Sequence, residues 1–263
     1  LNKTTKSNLI TYGMVLAAYL IVQGLLAGNL LSNLIQGLLV PLCVYVIMAL
    51  SLNLTVGILG ELSLGHAGFM CIGAFTSAAF TKATMDTFTN AGLRFFVALI
   101  IGAVCAGIFG FLIGIPVLRL KGDYLAIVTL AFGEIIKNVI NVLYVGVDSN
   151  GIHFSMKDQM SLGMQPDGKV IISGAMGIIG TPKQSTFTIG IILVLVTLFV
   201  VLNLINSRDG RAIMAIRDNR IAAESIGIDI TKYKLKAFAI SAALAGIGGV
   251  LYAHNLATLT ALP

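Results

Sequence analysis

Long apolar runs separated by short polar segments dominate this chain of 263 residues. Most of the runs are about 20 residues long, which is the length an α-helix needs to cross the hydrocarbon core of a bilayer. No stretch shows the ten-residue alternation of apolar and polar positions that is typical of membrane β-strands. The pattern predicts a single all-α domain over residues 1–263, a polytopic transmembrane bundle with about seven spans, at 9–28, 33–56, 57–80, 94–118, 123–146, 187–206 and 235–254.

The composition supports a membrane protein. Hydrophobic residues make up 57% of the chain and charged residues 11%, and the mean hydropathy is +0.96. Soluble domains carry about 25% charged residues, so a soluble fold of this chain would lack the polar side chains to cover its surface. The three cysteines lie in apolar runs without metal-ligand spacing, which is typical of small buried side chains: Cys43, Cys71 and Cys105.

The join between the second and third predicted spans has almost no polar linker. It contains GELSLGHAGF, residues 60–69, and glycines at positions 57, 60, 65, 68 and 73. This glycine density predicts a broken or re-entrant helix. Broken helices line substrate routes in transporters, and we expect four residues here to do so: Ser63, Gly65, His66 and Gly68. The alternative is a tight helix crossing in which His66 is hydrogen-bonded to a neighbour. Glu61 lies five positions before His66, so the two do not share a helix face.

Basic residues predict the orientation of the bundle. Seven of them lie beside two predicted spans: Arg208, Arg211, Arg217, Arg220, Lys232, Lys234 and Lys236. Short loops rich in Lys and Arg remain in the cytoplasm. Alternation of the spans then places the N-terminus on the same side, with Lys3, Lys6, Arg119 and Lys121. This orientation accounts for the net charge of +6 without a nucleic-acid partner.

The cytoplasmic segment 207–234 is predicted to contain a helix that begins at Asp209 and ends at Gly227. Ile213, Ile216 and Ile226 form one apolar side of it. Such a helix either docks into a groove of a cytoplasmic partner or lies flat on anionic lipid. The apolar side is small and made of isoleucines, and acidic residues are mixed with the basic ones. Both features favour docking into a protein groove over binding to lipid. Six residues are expected to take part: Arg211, Ile213, Ile216, Arg217, Arg220 and Glu224.

Two other features leave alternatives open. Small residues four positions apart, at Gly110/Gly114, Ala242/Gly246 and Ala245/Gly249, allow close helix contacts. These contacts lie within the chain, which we favour, or against a partner subunit. The long extracytoplasmic loop 147–186 contains a Pro-Asp-Gly turn at 166–168 and the β-like run KVIIS. It forms either a cap that meets another protein or a plain surface loop.

Glu134 and Lys137 are charged residues inside the fifth predicted span. Glu134 lies about 16 Å along that helix, near the membrane midplane. The two side chains share a face and form an internal ion pair or line a substrate pathway. Because each charge can be neutralised by the other, the structural role as an internal ion pair is favoured. No catalytic constellation, metal site or cofactor is predicted, and no GxxxxGK[ST] loop for ATP phosphates occurs in the sequence.

Three stretches resemble the permeases of branched-chain amino-acid ABC transporters, in particular the M-type branch of that family. They are SLNLTVGILGELSLGHAGFMCIGAFTSA (51–78), LKGDYLAIVTLAFGEIIKNVI (120–140) and GRAIMAIRDNRIAAESIGIDITKYKLKAFAISAALAGIGGVLYA (210–253). The similarity keeps the same order from about residue 40 to 253. In that family a segment like 207–234 couples the permease to its ATPase. Further membrane segments follow the seventh span there, so the resemblance implies that this chain, ending at Pro263, is incomplete at its C-terminus.

The resemblance implies an ATP-driven importer of branched-chain amino acids in a bacterial inner membrane, with urea or short amides as alternative substrates. The expected partners are a second homologous permease, two cytoplasmic ATP-binding subunits, an extracytoplasmic solute-binding protein and membrane lipid. Two other functional classes are considered. A standalone secondary transporter or channel would use Glu134 or Glu61 for protons or ions, and a membrane scaffold would transport nothing.

Overall fold

A computed structural model of the protein describes residues 3–85, 90–120, 122–166 and 168–261. Its helices are α1 (Lys3–Ala27), α2 (Asn33–Asn53), α3 (His66–Ala83), α4 (Ala91–Val117), α5 (Asp123–Val142), α6 (Phe187–Asn206), α7 (Arg208–Asp218), α8 (Arg220–Ser225) and α9 (Ile230–Ala253). Its strands are β1 (Tyr144–Asp148), β2 (Gly151–Ser155), β3 (Lys169–Ser173), β4 (Ile178–Ile179) and β5 (Thr258–Leu259). Lys121, Asp167, Pro263 and the side chain of Lys3 lie outside the described part.

Six helices of the described chain are long and apolar enough to cross a membrane: α1, α2 with the turn that follows it, α4, α5, α6 and α9. This confirms the predicted class of a polytopic helical bundle. α6 has the predicted bounds, 187–206. α5 ends at Val142 instead of 146, because the chain turns there into strand β1. α9 begins at Ile230 instead of 235, because Asp229 caps it by accepting a hydrogen bond from the N–H of Lys232.

The predicted bounds of the third span, 57–80, are wrong. α2 continues through a π turn, Leu54–Ile58, residues 59–65 are not helical, and α3 starts only at His66. α3 has 18 residues and is not among the six apolar helices. Its small and polar residues lower its hydropathy. A lower hydropathy is compatible with the position of α3, because α4, α5 and α9 pack against it and most of its residues are buried.

α9 lies at the centre of the bundle, packed against α2, α3 and α4. Glycines make this packing close. A Cβ on Gly73 would lie 2.4 Å from the carbonyl oxygen of Gly246, and a Cβ on Gly110 would lie 2.3 Å from Cβ of Ala242. A Cβ on Gly246 would likewise lie 2.5 Å from Cβ of Ala106. The predicted small-residue positions therefore pack helices within the chain, which agrees with the favoured alternative.

The predicted long loop forms a β layer at one end of the bundle, called here the sheet end. β1 pairs in antiparallel fashion with both β2 and β3, and β4 pairs with β5, which follows α9. The β-like run KVIIS is strand β3, as predicted. The layer begins at Tyr144, inside the predicted fifth span. At the other end of the bundle, called the α7–α8 end, lies the segment predicted to be cytoplasmic.

Hydrogen bonds to the carboxylate of Asp148 hold the tip of the β layer together. Asp148 accepts hydrogen bonds from the N–H groups of Asn150, at 2.8 Å, and Gln165, at 3.2 Å, and from Nε2 of His153 at 3.0 Å. Burial acts to raise the pKa of the Asp148 carboxyl, but the hydrogen bonds from Gln165, Asn150 and His153 outweigh it, so the pKa is lowered. The carboxylate is thus kept ionised and holds the hairpin to the following loop.

Candidate functional site

The predicted break between α2 and α3 is present. Gly60 has φ +77°, a left-handed conformation that favours glycine. The N–H of Glu61 donates to the carbonyl oxygen of Thr55 at 3.0 Å, which closes the turn after the π segment. We call residues 59–65 the break segment. It ends where α3 begins, at His66.

The break segment lies directly against α5. The N–H of Leu64 donates to Oγ1 of Thr129 at 3.0 Å. A Cβ on Gly65 would lie 2.1 Å from the carbonyl oxygen of Thr129, and a Cβ on Gly68 would lie 3.0 Å from Cα of Gly133. Only glycine at position 65 permits this approach. Sequence reasoning missed Thr129 and Gly133, because nothing in the local pattern indicates which residues of α5 face the break.

A cavity of about 280 Å³ lies between the start of α3 and α5. Its lining is Leu64, Gly65, Ala67, Gly68, Cys71, Leu130, Gly133, Glu134, Lys137 and Ala261. Nζ of Lys137 is 2.6 Å from Oε2 of Glu134, and the side chains are 24% and 55% exposed, respectively. Three of the five predicted pathway residues therefore line one cavity: Gly65, Gly68 and Glu134.

His66 and Ser63 are not among the lining residues, and both are buried. Nε2 of His66 lies 2.8 Å from Oγ of Ser241, and Oγ of Ser241 donates its hydrogen to the carbonyl oxygen of Ser51. Nε2 of His66 is therefore the donor. Nδ1 of His66 and Oγ of Ser63 have no hydrogen-bond partner among the described residues. The His66–Ser241 contact is the one that the packing alternative requires.

Glu61 lies in the break segment, not within a helix, and pairs with Lys234, the fifth residue of α9. Both side chains are largely buried, with 15% of Glu61 and 8% of Lys234 exposed. Breaking one half of such a buried pair leaves an uncompensated charge, which is strongly destabilising. The pair therefore ties the break segment to the central helix, and Glu61 is engaged with Lys234 and not with His66.

The segment 207–234 contains two helices where one was predicted. Ser207, not Asp209, caps α7 by accepting a hydrogen bond from the N–H of Gly210 at 3.1 Å. Asn219 adopts an extended conformation and caps α8 through the N–H of Ala222 at 3.1 Å. An asparagine side chain competes with helical hydrogen bonds, so it interrupts a helix that periodicity alone would continue. Gly227 follows the end of α8 with φ +85°, as predicted.

The predicted coupling residues separate into a buried and an exposed group. Ile213 and Ile216 are 0% and 3% exposed and pack inside the chain, so they do not form an outward apolar side. The other four are exposed: Arg211, Arg217, Arg220 and Glu224. The exposed apolar side chains are Ile221, at 80%, and Ile226, at 75%. Sequence reasoning missed Ile221, because one continuous helix was assumed.

Arg217 connects α7 to the break. Its Nη1 donates to the carbonyl oxygen of Gly57 at 2.8 Å, and its Nε and Nη2 donate to Asp218. A Cβ on Gly60 would lie 2.6 Å from Cγ of Arg217, so the aliphatic part of the arginine lies over that glycine. The α7–α8 segment is thus in direct contact with the chain that leads to the cavity.

Six apolar crossing helices, a broken helix beside a cavity and an ion pair within that cavity are the features of a polytopic membrane permease. The family model described as "branched-chain amino acid transport system / permease component" matches residues 34–261, and the chain belongs to this family.

The relatives agree with this membership. The chain is 38% identical over 219 residues to the high-affinity branched-chain amino acid transport system permease protein LivM of Salmonella typhimurium and to LivM of Escherichia coli, which covers 80% of this chain and 50% of each relative. It is 26% identical over 249 residues to a probable LivM of Methanocaldococcus jannaschii, covering 84% of this chain and 67% of that protein. The chain spans about half the length of the two bacterial LivM proteins. No solved structure matches it significantly.

Proposed function

We propose that this chain is the permease subunit of an ABC importer that carries branched-chain amino acids across a bacterial inner membrane. Family membership supports the transport role, and the names of the LivM relatives support the substrate. ATP is hydrolysed by two separate cytoplasmic subunits. A second homologous permease completes the membrane part, and a solute-binding protein delivers the substrate at the sheet end. The α7–α8 end and the N-terminus are cytoplasmic, which follows from the basic residues of the segment 207–236. This orientation requires α3 to cross the bundle as well, from the break to the sheet end, where Nζ of Lys82 donates to the carbonyl oxygen of Ile171 in β3.

One observation carries the mechanism: Nη1 of Arg217 donates to the carbonyl oxygen of Gly57. Through this contact, and through the packing of Arg217 over Gly60, a movement of α7 and α8 reaches the π turn and the break segment that follows it, whose other end contacts α5 at Thr129. The cavity that contains Glu134 lies at that junction. Closure and opening of the ATPases would thus change the geometry of the cavity, and it would alternately face the two sides of the membrane.

The docking face for the ATPase lies on α8 in this proposal. Ile221 and Ile226 are exposed apolar side chains at the α7–α8 end, and Arg220 and Glu224 are exposed charges beside them. Such a mixture fits a protein groove. Ile213 and Ile216 are not part of this docking face. They are buried and anchor the segment to the bundle. Arg211, exposed on α7, lies at the edge of the face.

Purification from the native membrane tests the function. The full-length chain should bring two ATP-binding subunits and a second permease with it, and the reconstituted assembly should take up leucine only when ATP is supplied. Leucine uptake that follows a proton gradient without ATPases would contradict the proposal and favour a secondary transporter. ATP-driven uptake of urea or a short amide but not of leucine would overturn the proposed substrate.

Replacing His66 by alanine should reduce the amount of assembled transporter and leave uptake per assembled complex near the wild-type rate. The change removes a buried hydrogen bond and leaves Ser241 with an unused acceptor, at a cost of about 1–3 kcal/mol. Thermal unfolding and uptake normalised to assembled protein measure the two effects. The control His66→Gln retains a donor and should recover part of the stability. Normal assembly with abolished uptake would instead place His66 on the substrate route.

A further inference from the structure

The Glu134–Lys137 pair lies at a depth where an unpaired charge is strongly unfavourable. Glu134 is 11 positions after the start of α5 at Asp123, which is about 16 Å along the helix axis. Both side chains line the cavity, and the pair is partly exposed to it and to the outside of the chain. A solute that enters this cavity therefore meets one carboxylate and one ammonium group, three residues apart on one helix face.

The rest of the cavity wall is apolar or lacks side chains. Leu64, Leu130, Ala67, Cys71 and Ala261 contribute hydrocarbon or thiol surface, and the three glycines contribute backbone. The volume of about 280 Å³ lies just below the usual range for ligand sites, about 300–1,000 Å³. The cavity thus suits a small solute that has a short aliphatic part and a charged part.

Charge pairing also limits which charged groups the solute can carry. A solute with one charge can pair with only one member of the pair and leaves the other unpaired at this depth. A neutral solute offers no charge to replace either partner. A solute with one ammonium and one carboxylate replaces both partners at once, so that all four charges stay paired.

We propose that the Glu134–Lys137 pair opens to bind both charged groups of a free amino acid. Glu134 pairs with the substrate ammonium, Lys137 pairs with the substrate carboxylate, and the aliphatic side chain contacts Leu64 and Leu130. The start of α3 at this cavity adds to the preference for a carboxylate near Gly65, since a helix N-terminus carries partial positive charge. This inference rests on the proposed function and assigns Lys137 a role in substrate recognition.

Cys71 provides a built-in reporter, because it lines the same cavity. Its rate of modification by a small methanethiosulfonate is followed by mass spectrometry in the complete transporter, without the solute-binding protein. Four compounds compete: leucine, 4-methylpentanoate with the carboxylate only, 3-methylbutylamine with the ammonium only, and neutral 4-methylpentanamide. Cys105 is the internal control, because it lines a separate apolar groove between α3, α4 and α5.

Leucine is expected to protect Cys71 and not Cys105, and the three analogues should need roughly 100-fold higher concentrations. In Glu134→Gln, 4-methylpentanoate should become the better protector of the two charged analogues, and in Lys137→Gln, 3-methylbutylamine should. If the pair had only a structural role, the order of the two charged analogues as protectors would be the same in both variants. If a variant does not assemble, the comparison of the four compounds on the wild-type transporter still decides.

Three results would overturn the inference: equal protection by leucine and the neutral amide, the same order of charged analogues in both variants, or no protection by leucine. ATP-driven leucine uptake by the wild-type transporter is measured in parallel. If that uptake is present and the protection pattern fails, only the role of the pair is refuted. If the uptake itself is absent, the proposed function fails.

Discussion

ATP hydrolysis per bound ATPase should continue when Arg217 and Glu224 are both replaced by alanine, while leucine uptake per bound ATPase should fall about 5- to 150-fold, the range that typical coupling free energies give. Arg217→Ala removes the charge-assisted hydrogen bond from α7 to the carbonyl oxygen of Gly57. Glu224→Ala removes an exposed charge from the proposed docking face on α8. The first change weakens the connection to the break segment, and the second weakens the connection to the ATPase. Hydrolysis and uptake are measured together in reconstituted vesicles.

The two single variants test the connection to the break segment and the connection to the ATPase separately. Arg217→Ala alone should keep the ATPases bound and lower uptake, since its contact lies inside the chain. Glu224→Ala alone should weaken copurification of the ATPases. Lys232→Ala is the matched control, because it removes an exposed basic residue of the same segment and should change neither quantity. Unchanged coupling in the double variant, or hydrolysis that falls in proportion to uptake, would count against the proposed mechanism.

Alanine at position 65 should destabilise the transporter by about 1–3 kcal/mol, the usual cost of overpacking, and should reduce uptake by the protein that still assembles. Gly65 has φ −91°, so alanine is compatible with its backbone conformation. The effect would come from the contact alone, since the new Cβ would lie 2.1 Å from the carbonyl oxygen of Thr129. α3 and α5 would have to separate, and the cavity between them would change shape.

Gly133→Ala is the matched control for Gly65→Ala. It lies on the opposite side of the same contact, but a Cβ there would be 3.6 Å from Cα of Gly65, an ordinary van der Waals distance. Alanine is also the better helix former, by about 1 kcal/mol. Thermal stability should therefore stay near wild-type or rise. If the two variants behave alike, the close approach at Gly65 does not determine the cavity.

The crossing helices could be predicted from the chain because lipid imposes a length and a composition on each of them. α6 has the predicted bounds for this reason. α3 was predicted poorly, because neighbouring helices cover it and the lipid constraint is relaxed. The segment 207–234 was recognised, but Asn219 divides its helix, and the burial of Ile213 and Ile216 depends on where α7 docks.

The sequence by itself determined the class of the protein, the position of the break and the presence of two charges inside a span, because these follow from local composition and spacing. Only the tertiary structure decided which groups meet. Residues 61 and 234, 57 and 217, and 65 and 129 are far apart in the chain, and each pair is brought together by helix packing. Helical periodicity states which face a residue occupies, but not which helix that face contacts. For that reason Glu61 finds Lys234, His66 finds Ser241, and Glu134 and Lys137 share a cavity with the start of α3.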